Sequence, residues 1–243
     1  MENLYPMRIN KYLAWKKIST RRGADDLIEK KKVFINNKLA VLGSRVNESD
    51  IVEIKGDKNS KVYVYFAYNK PIDTITHSQQ KGEHDIKEDL KNTTLQKDVF
   101  PIGRLDKNSH GLIILTNDGR ITDQLLNPKY SHEKEYTVKT SNKLRSNFKQ
   151  KMEAGVNIEG LPAQTGYITK KCKVNIINDF TFKVILTEGK KHQIRRMCSA
   201  LFQEIADLKR ERIMNIKLGN LKSGAFREIK GEELAIFLNM CYT

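Results

Sequence analysis

Apolar residues in this chain come in short pieces, and their spacing changes character near residue 60. The longest apolar run, about seven residues at Val62–Tyr68, is far short of the roughly 20 that span a bilayer, so no membrane partner is expected. Before residue 60 the pattern is helical and then briefly extended. Ile9, Tyr12 and Leu13 form one stripe, and Ser19 or Thr20 can cap a second helix with Ala24, Leu27 and Ile28 on its core side. Val33–Ile35, the Asn36-Asn37 pair and Leu39–Leu42 predict two extended pieces about a turn, because Asn tolerates left-handed backbone. Ile51, Val52 and Ile54 add a short strand, and the polar run Asp57-Lys58-Asn59-Ser60 makes a hinge.

Beyond the hinge, strands and helices intermix. Strands are predicted at Lys61–Tyr68, Phe100–Leu105, Leu112–Thr116, around Lys134–Val138 and at Phe180–Thr187. Helices are predicted after Asn117-Asp118-Gly119, at Leu144–Met152 with Gly155 ending it, at His192–Phe202 and at Leu234–Cys241. Residues 76–98 lack periodicity and read as a loop or insertion. The expectation is an α+β chain with a small domain at 1–60 and a larger one at 61–243.

Charge narrows the function. Against 29 acidic residues the chain carries 44 Lys and Arg, a net charge of +15, which points to a polyanion such as nucleic acid. Residues 1–58 hold 13 basic and 8 acidic residues. The three cysteines, Cys172, Cys198 and Cys241, are too few and too scattered for a disulfide framework, which fits a reducing cytoplasm. Five histidines show no metal-ligand spacing. Glycine-rich dinucleotide and phosphate loops are absent, so neither metal nor cofactor is expected.

Three stretches carry candidate chemistry. Gly103-Arg104-Leu105-Asp106 ends a buried strand at a polar turn running to Gly111, which can aim the carboxylate at a cleft. An isolated Asp there would equally well cap its own turn. Lys134-Glu135-Tyr136-Thr137-Val138 places a tyrosine on a strand, where core packing alone would also account for it. Glu188–Arg196 is a glycine turn leading into a basic helix face, with Arg195 one residue past the apolar Ile194. Lys190, Lys191, Arg195, Arg196, Lys209, Arg210 and Arg212 make a cluster of cations in sequence, suited to a phosphate backbone.

The run Arg8-Ile9-Asn10-Lys11-Tyr12-Leu13-Ala14, followed by Ser19-Thr20-Arg21-Arg22 and Asn36-Asn37, resembles the S4 RNA-binding domain. That family usually has Gly at the second turn position, here Asn37. Arg8, Lys11, Lys16, Arg21 and Arg22 would then face RNA. The stretches around Asp106, Tyr136 and Arg195 together resemble the pseudouridine synthases, in the branch with an N-terminal S4 domain that acts on ribosomal RNA. Arg195-Arg196-Met197-Cys198 and Arg210–Asn215 look like members that modify large-subunit (23S) RNA.

The resemblance implies a mixed, largely antiparallel sheet with flanking helices. It makes Asp106 the catalytic aspartate, Tyr136 the active-site tyrosine and Arg195 the arginine paired with Asp106. Leu208 would line the base pocket, and Arg104, Lys190 and Arg196 would hold the substrate strand. Where relatives often have Lys-Pro-x-Gly, this chain has Lys70-Pro71-Ile72-Asp73.

Converting uridine to pseudouridine breaks N1–C1′ and rejoins the uracil through C5, with no redox change or donor, so no cofactor is implied. The step needs a carboxylate ionised at neutral pH. Asp has a reference pKa of about 3.9, and a guanidinium beside it favours the charged form through a planar two-pronged contact. Attack at C1′ and attack at C6 both remain open at this stage. A stacked uracil must be flipped out before Asp106 can reach it, which favours a stem-loop of 23S rRNA over perfect duplex. A tRNA as second substrate and a monomeric state complete the expectation. The alternative reading is a non-catalytic RNA-binding or ribosome-assembly factor that uses only the S4 segment.

Overall fold

The computed structural model describes residues 5–16, 18–55, 62–76, 84–90, 93, 99–158 and 166–242. The chain divides into two compact units, one of Met1–Tyr63 with Asp118–Ile121 and one of Val64–Asn117 with Thr122–Thr243.

In the first unit, helices Ile9–Trp15 and Arg21–Glu29 stand where the apolar stripes fall. The Thr20 hydroxyl accepts the Gly23 N–H at 2.9 Å, so Thr20 is the cap. Asn10 donates to Asp25 at 2.9 Å and ties the helices together. Ile9, Leu13, Ala24, Ile28, Val33, Ala40 and Val46 form the core. Strand Val33–Ile35 pairs antiparallel with both Lys38–Leu39 and Val52–Ile54. Asn36 and Asn37 turn the chain at φ 48° and 63°, so both residues take the left-handed backbone that asparagine tolerates.

The second unit is built on a nine-stranded sheet. Its order is Lys173–Asn178, Thr181–Leu186, Lys134–Thr140, Ile205–Ile213, His110–Thr116, Tyr65–Lys70 and Phe226–Glu228, with Phe100–Ile102 and Ile216–Lys217 added at its sides. Every pairing is antiparallel except that of Ile205–Ile213 with His110–Thr116, so the sheet is mixed and largely antiparallel. Phe148, Met152, Ile194, Met197 and Cys198 from the helices Phe148–Ala154 and Gln193–Ala200 pack on Val138, Phe182, Val184, Leu186 and Leu208 of the sheet.

One edge of the His110–Thr116 strand positions the site. Ile205–Ile213 pairs with its first residues, His110 and Gly111, whereas Phe100–Ile102 pairs with its last, from Ile114 to Thr116. The two neighbours part at Leu112, and the chain from Gly103 to Ser109 leaves the sheet there. Gly111 is required at this point: at φ 104° its added Cβ would lie 2.4 Å from the Arg210 carbonyl.

Several expectations change: the helix foreseen at Leu144–Met152 runs Phe148–Ala154, and the extended piece at Leu39–Leu42 is strand only at Lys38–Leu39. The strand foreseen at Lys61–Tyr68 runs Tyr65–Lys70; Lys61 lies outside the described residues and Val62–Val64 is not strand. Phe100–Leu105 is strand only to Ile102, because Gly103 turns out at φ 79°. The 76–98 insertion contains a packed helix, Ile86–Leu90, whose Ile86 and Leu90 lie against Tyr68, Ile113 and Leu115; residues 77–83, 91–92 and 94–98 lie outside the described residues. Among the described residues no helix is long and apolar enough to cross a membrane.

Candidate active site

Asp106 stands on the loop that leaves the split in the sheet. Its carbonyl accepts the Ser109 N–H at 3.0 Å, closing a turn, while its carboxylate stays about one-third exposed. The residue before it is locked twice. The Thr76 hydroxyl donates to the Leu105 carbonyl at 2.9 Å and accepts the Leu105 N–H at 3.2 Å.

Lys70, fully buried, ties the facing turn to the same loop. Its ammonium donates to the carbonyls of Pro71 (2.8 Å), Thr74 (2.5 Å) and Lys107 (3.4 Å). Burial brings the Lys70 ammonium down to about 8, against the pull of the Asp106 and Asp73 carboxylates. Asp73 sits at φ 63° and its N–H donates to the Lys107 carbonyl at 2.9 Å. The departure from Lys-Pro-x-Gly therefore falls on a left-handed residue, where aspartate is the tolerable substitute for glycine.

Across the loop stands the helix Gln193–Ala200. Buried Glu188 fixes its start by accepting the Tyr167 hydroxyl (2.6 Å), the Lys170 N–H (3.0 Å) and the Gln193 amide (2.7 Å). Gln193 in turn accepts the Lys190 N–H at 2.9 Å. This frame brings Arg195 to Asp106, with Nε 4.0 Å from Oδ2. The contact is not the two-pronged one foreseen. Nη2 of Arg195 instead donates to the Asn108 carbonyl (2.8 Å) and to Ser109 Oγ (3.1 Å), so the guanidinium holds the loop as well as facing the carboxylate.

His192, left-handed at φ 53°, places Nε2 3.5 Å from Asp106 Oδ1. Periodicity could not reveal this neighbour, because its backbone conformation, rather than a helical position, turns the ring toward the loop.

Tyr136 and Leu208 are buried in the cluster that contains Leu105. Tyr136 pairs across the sheet with Arg210, and Leu208 with Val138. The Arg104 side chain is exposed, and Lys190 is exposed with its ammonium 4.6 Å from the Tyr167 ring centre. Arg196 is half-buried, and its Nη2 is enclosed without a hydrogen-bond partner among the described residues. Arg8, Lys11, Arg21 and Arg22 belong to the first unit and are exposed there.

Part of the foreseen cation cluster has other work. Arg210 is buried and donates to the carbonyls of Leu112 (2.6 Å) and Arg104 (3.4 Å), so it fills the gap where the two strands part. Arg212 pairs with Glu133 (2.9 Å) and Glu135 (3.0 Å), and Lys209 with Glu211 (3.2 Å). Alternation along the strand accounts for Arg210: it shares a face with Leu208 two residues earlier and so inherits its burial. Burial, then Arg210 itself, brings the nearby Lys134 down to about 8. Among the described residues no group of three or more His, Cys, Asp or Glu could hold a metal ion.

Comparison with known proteins identifies the family. The family described as RNA pseudouridylate synthase matches residues 64–200, and the S4 domain matches residues 7–52. The chain is 39% identical to the dual-specificity RNA pseudouridine synthase RluF of Escherichia coli (strain K12), over 94% of this chain and 77% of that protein. It is 34% identical to the ribosomal large subunit pseudouridine synthase B of Bacillus subtilis (strain 168), over 93% of each. A crystal structure of a pseudouridylate synthase superposes with a TM-score of 0.69 at 25% identity, covering 94% of this chain and 98% of that one. With the family matched over more than half its length, and such relatives over nearly all of it, this chain belongs to the RNA pseudouridylate synthases.

Proposed function

We propose that this chain isomerises a uridine in a stem-loop of 23S rRNA, with Asp106 as the nucleophile on a flipped-out base. The observation that carries the proposal is the Asp106 carboxylate, partly open to solvent, with His192 at 3.5 Å and Arg195 at 4.0 Å on a loop held by Thr76, Lys70 and Arg210. The name of the B. subtilis relative supports a ribosomal substrate, and the dual specificity in the name of the E. coli relative supports a second RNA, which we take to be a tRNA.

The reaction balances within the substrate. N1–C1′ breaks, C5–C1′ forms, the C5 proton leaves and N1 gains one. Asp106 can open the sequence at C1′ or at C6, and both routes use the same ionised oxygen. Tyr136 and Leu208 supply the apolar wall beside the base, Tyr136 offering a ring to stack and a hydroxyl to relay a proton. Arg195 keeps the loop in register and offers positive charge to the carboxylate. Arg104, Lys190 and Arg196 face the strand that carries the extruded base, while Arg8, Lys11, Arg21 and Arg22 bind RNA through residues 1–60. Backbone contacts of this kind offset the few kcal/mol that extrusion costs. We place the enzyme in the cytoplasm as a monomer needing neither cofactor nor metal.

Nucleotide-resolution pseudouridine maps of ribosomal and transfer RNA, taken from cells with and without this chain, test the proposal. At least one 23S site should vanish and return with the restored gene. Unchanged maps would contradict it and leave the assembly-factor reading.

A further inference from the structure

The far side of the Arg195 helix opens onto a concavity of about 570 Å³, within the ~300–1,000 Å³ range of small-molecule sites. Arg195, Phe202, Gln203 and Glu204 line it, so Arg195 takes part in both this space and the Asp106 loop.

Two of these residues are unusual. Phe202 follows the helix end at φ 60°, the left-handed position where glycine normally terminates a helix, and it is 70% exposed. A bulky aromatic there gains nothing from burial and bears backbone strain, a combination that marks ligand clamps. The Arg145 guanidinium lies 4.7 Å from one face of its ring, and Asn142 holds its carbonyl at 3.1 Å. Gln203 is 3% exposed, yet both atoms of its side-chain amide lack a partner among the described residues.

From these features we propose that the concavity is a nucleobase subsite, in which Phe202 stacks on an unpaired base adjoining the isomerised uridine. The proposal rests on the RNA-modifying reading above. Arg145 and Arg195 supply positive charge for the flanking phosphates, and the Glu204 carboxylate accepts from a base N–H. Because Arg195 borders both the Asp106 loop and the concavity, a short single-stranded step separates the two bases. Stacking on an aromatic ring is tolerant of base identity, so the subsite favours unpaired over paired RNA rather than one sequence.

The test uses the full chain and a protein-free 23S rRNA transcript carrying the mapped site, with Phe202→Gly, Phe202→Leu and Phe202→Trp. Gly and Leu should each raise KM about tenfold with kcat within about twofold, and Trp should restore KM. Phe202→Gly should leave Tm unchanged or raised, since glycine relieves the strain, whereas a purely structural role would lower it. The salt dependence of binding should not change, because no charge is removed. A KM unaltered in Phe202→Leu would overturn the subsite. If the wild-type chain itself makes no pseudouridine in the transcript, the failure belongs to the reaction and not to the subsite.

Discussion

The role proposed for Asp106 depends on how few contacts its carboxylate has. Among the described residues its side chain pairs only with a histidine at 3.5 Å and a guanidinium edge at 4.0 Å, which leaves oxygen lone pairs for a substrate. Arg195 contributes more through the Asn108 carbonyl and Ser109 hydroxyl than through direct pairing. Arg195→Lys keeps the positive charge but cannot make both loop contacts and face Asp106 from one rigid plane. The expected outcome is a fall in kcat of roughly 10- to 100-fold with a small change in Tm, measured under single-turnover conditions. Asp106 and Arg195 were legible through the resemblance of the runs around them to the pseudouridine synthases, and the structure sets the two side chains beside each other. His192 and Arg210 were not. A left-handed backbone turns the first toward the carboxylate, and a position two residues from Leu208 on a buried face makes the second a structural cation.

Among the elements, the parting of two strands at Leu112 is the feature on which the loop depends. Gly111→Ala would drive a methyl into the Arg210 carbonyl in a backbone region that alanine avoids. A loss of about 2–4 kcal/mol in urea unfolding is expected, together with loss of activity. The Lys134–Thr140 strand carries a second test. Its Lys134 falls from 10.5 to about 8, so between those values the unfolded chain holds a proton that the folded protein has released. Stability from this group therefore rises with pH from about 8 to 10.5. Relative to Lys134→Met, the wild type should gain about 2 kcal/mol between pH 7.5 and pH 10 in urea titrations. A difference that stays flat would place Lys134 in water. Helix periods and strand runs made most elements readable from sequence. Ile86–Leu90 escaped because two apolar residues one turn apart, set among polar neighbours, carry too little pattern to separate from a loop.

For the molecule as a whole, the charge of +15 divides between cations that bind partners and cations that hold the fold. Lys70, Arg210 and Arg212 are committed inside, to carbonyls or carboxylates. In the first unit Lys11, Arg21 and Arg22 remain exposed on a helix pair and Arg8 on the strand that leads into it. Replacing all four with Ala should reduce the slope of log affinity against log salt by roughly 3, read from RNA binding at several salt concentrations. An unaltered slope would remove this face from the RNA interface. Composition made the polyanion partner legible. It could not divide the lysines and arginines between the two tasks, because that depends on which strand face each one occupies.

In the function we propose, the Asp106 carboxylate performs the chemistry and is not needed for binding. Single-turnover pseudouridine formation and RNA affinity, measured together for wild type and Asp106→Asn, separate the two directly. The rate is expected to fall by more than about 10³-fold while affinity stays within about threefold. An Asn variant that retains its rate to within about tenfold would contradict it.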